Sequence, residues 1–110
     1  MAHAGSRAAR ALVAAAAAMA AAPAAMAQDA KALQVRSLAS TCAACHGTDG
    51  RAHPDGATTT LAGLPRANLS GALRDFRDGR RSATVMHQLA KGYTDEQIDA
   101  IAAYFAAQPK

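Results

Sequence analysis

The sequence contains no tryptophan, two tyrosines and two phenylalanines in 110 residues. Aromatic side chains carry much of the apolar area that a small core buries. A chain this short with four of them has little to build a core from, so something else is expected to fill the middle. The hydrophobic content of 51% does not remove the shortage, because much of it is alanine crowded before Gln28. Charge of one sign is also scarce. The formal net charge is +4, and Arg7 and Arg10 supply half of it. The remainder is ten Lys and Arg against eight Asp and Glu. That balance is too weak to point to nucleic acid as a partner. There are two cysteines, and no internal repeat or sustained strand-like alternation is present.

The first 27 residues have the order of an export signal. Arg7 and Arg10 precede an apolar run from Ala11 to Ala22, followed by Pro23 and the small-residue ending Ala25-Met26-Ala27. This pattern predicts a secretory signal peptide over 1–27, cleaved after Ala27. The run is about a dozen residues, too short for a permanent bilayer span. An uncleaved alanine-rich tether is the competing reading. The two arginines are not adjacent, so a twin-arginine signal is not indicated. The expected mature domain is 28–110, in an extracytoplasmic, periplasmic compartment where disulfides are allowed. No later stretch is apolar enough to anchor it in a membrane.

Within 28–110 the periodicity predicts an all-α domain with three main helices. The first runs from about Asp29 to His46, marked by Leu33, Val35, Leu38, Cys42 and Cys45. The second opens near Pro65, repeats Leu69, Ala72, Leu73 and Phe76 at i, i+3, i+4, i+7, and stops at Gly79. The third starts at Thr94, with Gln97 placed for a capping box and Asp95 and Glu96 in the first turn. Ile98, Ile101, Ala102 and Phe105 form its apolar stripe. A shorter helical piece is expected over about 83–90. The segment 47–64, with Gly47, Gly50, Gly56, Gly63, Pro54 and the run Thr58-Thr59-Thr60, reads as irregular loop. So long a loop in so small a domain usually has a task, here wrapping something.

Cys42-Ala43-Ala44-Cys45-His46 contains both cysteines. Positions i, i+3 and i+4 share one helix face, which aims both thiols and the imidazole the same way. C-x-x-C-H is the attachment signature of c-type haem. Each thiol adds to one porphyrin vinyl group, and the adjacent histidine becomes the proximal iron ligand. Three other readings compete. A Cys42–Cys45 disulfide suits the compartment. A thioredoxin-like redox motif wants a βαβ context, and no strands are visible. A structural zinc site needs four ligands, and no second cysteine pair exists. One covalent haem would also supply the apolar core that the composition lacks.

After Ala27 the sequence has one methionine, Met86, and three histidines, His46, His53 and His87. Met86 follows the loop and the second helix, so the chain can pass the haem edge and return on the other face. A thioether sulfur there is the expected sixth ligand, favouring the ferrous state. A methionine can also be plain core filler, and bis-His ligation is the other option. His46 needs an acceptor for its second ring nitrogen, expected to be a loop carbonyl. The arginines Arg74, Arg77, Arg80 and Arg81, with Lys91, could form a docking patch. Interleaved Asp75 and Asp78 favour instead an ordinary solvated helix face.

These residues together resemble the single-haem class I cytochromes c. The resemblance rests on Cys42-Ala43-Ala44-Cys45-His46-Gly47 with Gly50, on Leu61-Ala62-Gly63, and on Met86 through Ile98 continuing to Ala103-Tyr104-Phe105. Arg77-Asp78-Gly79-Arg80 and Thr84-Val85-Met86-His87-Gln88 look more narrowly like the cytochrome subunits of flavocytochrome c sulfide dehydrogenases. The resemblance implies a small class I fold wrapped around one haem c. Cys42 and Cys45 would hold the haem, and His46 and Met86 would ligate its iron. It implies one-electron transfer, with a flavoprotein sulfide dehydrogenase subunit as the redox partner and no catalysis by this chain alone. A free soluble carrier between respiratory complexes is the second reading. An open-site haem enzyme or gas sensor is the third, and it requires that Met86 not bind.

Expression with c-haem maturation machinery is expected to give a mature N-terminus at Gln28. Intact-mass measurement checks this, and a retained 1–27 segment would contradict it.

Overall fold

A computed structural model describes residues 23–56 and 58–110. The expected signal peptide therefore lies, up to residue 22, outside the described residues. The chain divides into two compact units, Met1–Leu33 and Gln34–Lys110. In the first, residues 23–33 are helical and exposed. The second opens with helical residues 34–40, named α1. It continues through α2 (Ala43–His46), a 3-10 turn (Thr48–Gly50), α3 (Arg66–Arg77), α4 (Met86–Ala90) and α5 (Asp95–Ala106). No strand occurs among the described residues, in agreement with the all-α reading.

The first predicted helix is interrupted. Thr41 and Cys42 form a turn, with backbone bonds from Thr41 to Leu38 and from Cys42 to Ala39. The reason is local. Ser40 Oγ donates to the Ser37 carbonyl and Thr41 Oγ1 to the Leu38 carbonyl. Such side-chain bonds compete with the helical ladder. Leu33, expected on the apolar face, is 70% exposed, and Ala39 is the residue that enters the core.

α3 begins one residue after Pro65, whose carbonyl accepts from the Asn68 and Leu69 amides. Its far end is a Schellman turn. Gly79, at φ 75°, donates to Phe76, and Arg80 donates to Asp75. The capping box predicted at Thr94 is formed in both directions, Gln97 N–H to Thr94 Oγ1 and Thr94 N–H to Gln97 Oε1. The short helix starts at Met86, later than the expected 83, because Arg80 and Arg81 are still folded back onto the Asp75 carbonyl.

α3 packs on both α5 and α4. The core cluster joins Ala39 of α1, Leu69 of α3, and Ile101, Ala102 and Phe105 of α5. Burial of a side chain such as Ile or Phe contributes roughly 1.5–3 kcal/mol. Four of the eight buried apolar residues among those described are alanines, however. The aromatic shortage thus leaves a small core, as the composition implied. The outer faces of α3 and α5 are joined by ion pairs, Arg74 to Asp99 at 2.9 Å and Arg77 to Asp95 at 2.9 Å. Hydrogen bonding from Arg77 is the main cause that holds the Asp95 carboxyl below its ordinary range.

The loop 47–64 is pinched at its base. The Gly50 carbonyl accepts from the amides of both Leu61 and Ala62, at 2.8 and 3.1 Å. Gly63 N–H then donates to the Phe105 carbonyl at 2.9 Å, tying the loop to α5. Asp49 accepts from the Tyr104 hydroxyl, a second tie to the same helix. That bond is also the leading reason the Tyr104 phenol is pushed above its ordinary range.

Gly50 is buried at φ 79°, and a Cβ there would stand 2.7 Å from the Phe105 ring. Gly79 has a similar φ of 75°, but a Cβ there would meet nothing within 4 Å. Gly79→Ala is therefore expected to cost about 1 kcal/mol, the backbone strain alone. Gly50→Ala is expected to cost roughly 2–4 kcal/mol, because overpacking adds to the strain. Denaturant unfolding of the two haem-loaded variants checks the order, and equal losses would contradict it.

Candidate functional site

Cys42 sits at the N-cap of α2 with helical dihedrals, φ −82° and ψ −17°. The turn before it therefore does not disturb the i, i+3, i+4 relation of Cys42, Cys45 and His46. The amides of Cys45 and His46 both donate to the Cys42 carbonyl, which fixes this one-turn geometry. Gly47 ends the helix at φ 78°. A Cβ at Gly47 would lie 1.9 Å from the Arg51 carbonyl oxygen, so no other residue type fits there.

All three side chains line one apolar cavity of about 250 Å3. Met86, the first residue of α4, lines the same cavity. Its walls come from α2, α3, α4, α5 and the loop. Leu69, Leu73 and Phe76 contribute from α3, Ile101 and Phe105 from α5, and Leu61 from the loop. The structure thus brings together the four residues singled out in the sequence, although Met86 is forty residues from His46. It leaves His53 and His87 out of the lining. His53 is exposed in the loop. His87 turns its Nδ1 into the protein, where that atom is buried without a hydrogen-bond partner.

His46 is held by one specific bond. Its Nδ1 lies 2.7 Å from the carbonyl oxygen of Thr59. A carbonyl can only accept, so Nδ1 carries the proton and Nε2 keeps its lone pair. That is the tautomer a metal ligand needs, with the second nitrogen oriented by an outer partner. The expected loop carbonyl is thereby identified as that of Thr59. Beside it, the Thr58 hydroxyl donates to the Cys45 carbonyl at 2.5 Å. The Cys42 thiol is raised above its ordinary pKa, chiefly by burial. Both cysteines are free thiols in this structure.

One feature of the site had no clear signature in sequence. Tyr93, in the α4–α5 connection, lines the cavity and forms a 2.8 Å hydrogen bond with Thr41 Oγ1. It joins the turn that precedes Cys42 to the segment that follows Met86. The arginines considered as a docking patch are largely paired. Arg80 reaches Asp75 at 2.9 Å and Asp78 at 2.8 Å, and Arg74 and Arg77 engage the carboxylates of α5. Arg81 lies over the Phe76 ring, 4.8 Å from its centroid. This arrangement favours the solvated-face reading.

The donor set and the cavity fit a c-type haem. Two thiols one helical turn apart, an imidazole with a free Nε2, a thioether and apolar walls face a common space. The residues present supply every attachment and ligand atom that such a group requires.

Comparison with known proteins agrees with this chemistry. Residues 31–108 match the family described as Cytochrome c. The chain is 44% identical over 68 residues to the cytochrome subunit of sulfide dehydrogenase of Chlorobaculum tepidum, covering 62% of this chain and 60% of that one. It is 41% identical over 68 residues to the thiosulfate dehydrogenase electron acceptor of Thiomonas intermedia, covering 62% of this chain and 31% of the relative. It is 39% identical over 75 residues to cytochrome c-554(548) of Halomonas halodenitrificans, covering 62% of this chain and 84% of that protein. The matched region is therefore under two thirds of the first relative, about a third of the second and most of the third.

Tyr93→Phe removes the hydroxyl that joins the two sides of the site. It is expected to lower the stability of the haem-loaded protein by about 1 kcal/mol. Denaturant titration checks this, and a loss below a few tenths of that value would show that water replaces the bond without cost.

Proposed function

The chain belongs to the cytochrome c family and carries haem c, and from that premise we propose that it is a periplasmic one-electron carrier with His46 and Met86 as axial ligands. Cys42 and Cys45 attach the group through two thioethers. When bound, haem c supplies a reversible ferric–ferrous couple. His46 Nε2 and Met86 Sδ would both ligate the iron, which would leave no position at which a substrate could bind. Met86 provides a soft sulfur that favours the ferrous state. The apolar walls exclude water, which keeps the local dielectric low. The observation that carries this reading is the shared cavity. His46, with its Nδ1 committed to Thr59, and Met86 face the same space although they lie forty residues apart in the chain.

The relatives point to sulfur-compound oxidation. One is named as a subunit of sulfide dehydrogenase, another as the electron acceptor of thiosulfate dehydrogenase. We therefore assign the chain an electron-accepting role beside such a dehydrogenase, with a flavoprotein subunit as the donor. Val85 and Leu89, each 49% exposed, flank Met86 and offer apolar surface for that contact. A free-standing carrier is the second reading. It is favoured by the match to cytochrome c-554(548), of which 84% is covered. The export pattern in 1–27 supports the periplasmic assignment, and no described helix is long and apolar enough to cross a membrane.

The oxidised protein is expected to show the near-infrared band of ferric iron bound to a methionine sulfur. Met86→Ala should abolish that band and let carbon monoxide bind the reduced protein. It should also lower the reduction potential by at least the ~59 mV of a tenfold change in a one-electron couple. An unchanged spectrum and potential in Met86→Ala would refute the ligand assignment. Rapid carbon monoxide binding by the wild type would move the open-site enzyme or sensor reading to the front.

A further inference from the structure

We propose that Thr58 is a positioning residue for His46, and that through the Thr59 carbonyl it sets the reduction potential; this rests on His46 being an iron ligand. The argument starts at the end of α2. A helix leaves its last carbonyls without intrahelical partners. In α2 the Gly47 amide returns to Ala43, and the next amide bond, from Gly50, goes to the Gly47 carbonyl. The Cys45 carbonyl accepts instead from the Thr58 hydroxyl, thirteen residues away. One residue further along both segments, the Thr59 carbonyl accepts from His46 Nδ1 at 2.7 Å. Two neighbouring loop residues thus hold two neighbouring residues of the C-x-x-C-H motif. One bond runs from the loop to the motif, and the other from the motif to the loop.

The two bonds have different tasks. The His46 bond touches the ligand directly and makes the imidazole a stronger electron donor, which stabilises ferric iron. The Thr58 bond touches no ligand atom. It fixes the backbone that carries the Thr59 carbonyl, in a stretch of exposed residues. The next anchor along the chain is Leu61, bonded to Gly50 at the base of the loop. Without the Thr58 hydroxyl, the Cys45 carbonyl loses its partner and the Thr59 carbonyl is free to drift from Nδ1. The imidazole then donates less, ferric iron is less stabilised, and the potential rises.

The test uses the haem-loaded protein and three measurements: the midpoint potential, the ferric absorption spectrum, and exchange of the His46 ring N–H in the reduced state by NMR. Thr58→Val keeps the shape and removes the donor. It is expected to raise the ferrous-to-ferric ratio at fixed applied potential three- to tenfold, the upper end being ~59 mV. The ring N–H should exchange at least fivefold faster, while the near-infrared methionine band persists. Thr58→Ser keeps the donor and should stay within twofold of the wild type. A potential that is unchanged or lower in Thr58→Val, with the band intact, would overturn the proposal. It would leave His46 and Met86 as ligands and reduce Thr58 to a helix cap. If Thr58→Val fails to hold haem, the wild type alone decides. A His46 ring N–H that exchanges freely there would overturn the proposal, whereas loss of histidine ligation in the wild-type spectrum would instead overturn the ligand reading.

Discussion

The cavity between α3, α4, α5 and the loop is the constraint on which the rest of this structure depends. Its walls take Leu61, Leu69, Leu73, Phe76, Leu89, Ile101 and Phe105, seven of the eleven Leu, Ile and Phe side chains that follow Ala27. These residues face the cavity as well as one another. The buried apolar set as a whole is half alanine among the described residues and offers little area to bury. A protein built this way gains much of its apolar burial from the group it encloses. Cofactor binding and folding are then two aspects of one packing event.

The loop follows from the same constraint. A connection from α2 to α3 could be short, yet 47–64 makes an excursion whose ends are brought together at Gly50. Positive φ at Gly47, Gly50 and Gly63 allows the turns that direct it. Close approach to Phe105 and to the Arg51 carbonyl leaves no room for a side chain at Gly50 or Gly47. The excursion returns Thr58 and Thr59 to the C-x-x-C-H segment, so the backbone of an irregular loop becomes the hydrogen-bond partner of His46. Function here is carried by a loop positioned on rigid helices.

Electrostatics acts away from the cavity. Arg74 and Arg77 bridge α3 to α5, and Arg80 closes the turn after α3 on Asp75 and Asp78. Exposed pairs of this kind add little stability singly. They do fix the relation of the second and third main helices, and they neutralise a row of arginines that would otherwise be an anion-steering surface. The exposed residues beside Met86 are apolar instead, Val85 and Leu89.

Much of this was legible in the sequence because it depends on local spacing. The C-x-x-C-H motif needs one helical turn, the capping box at Thr94 needs four residues, and the stripes of α3 and α5 need two turns each. Gly79 could be read as a helix stop because φ of that sign favours glycine. Met86 could be singled out by elimination, since no other methionine follows Ala27, and the structure places it in the cavity lining. The break at Thr41 and Cys42 was not foreseen, because side-chain capture of a helix carbonyl is a competition that periodicity does not register. The partner of His46 was foreseen as a carbonyl but not as that of Thr59, since every residue carries the same acceptor and only the path of the loop selects one. Tyr93 on Thr41 and Thr58 on Cys45 are likewise pairs from distant segments. The sequence by itself determined the one-turn spacing of Cys42, Cys45 and His46 and the apolar stripes of α3 and α5. Tertiary structure decided which loop atoms orient His46, because hydrogen bonds between distant segments depend on where the chain returns.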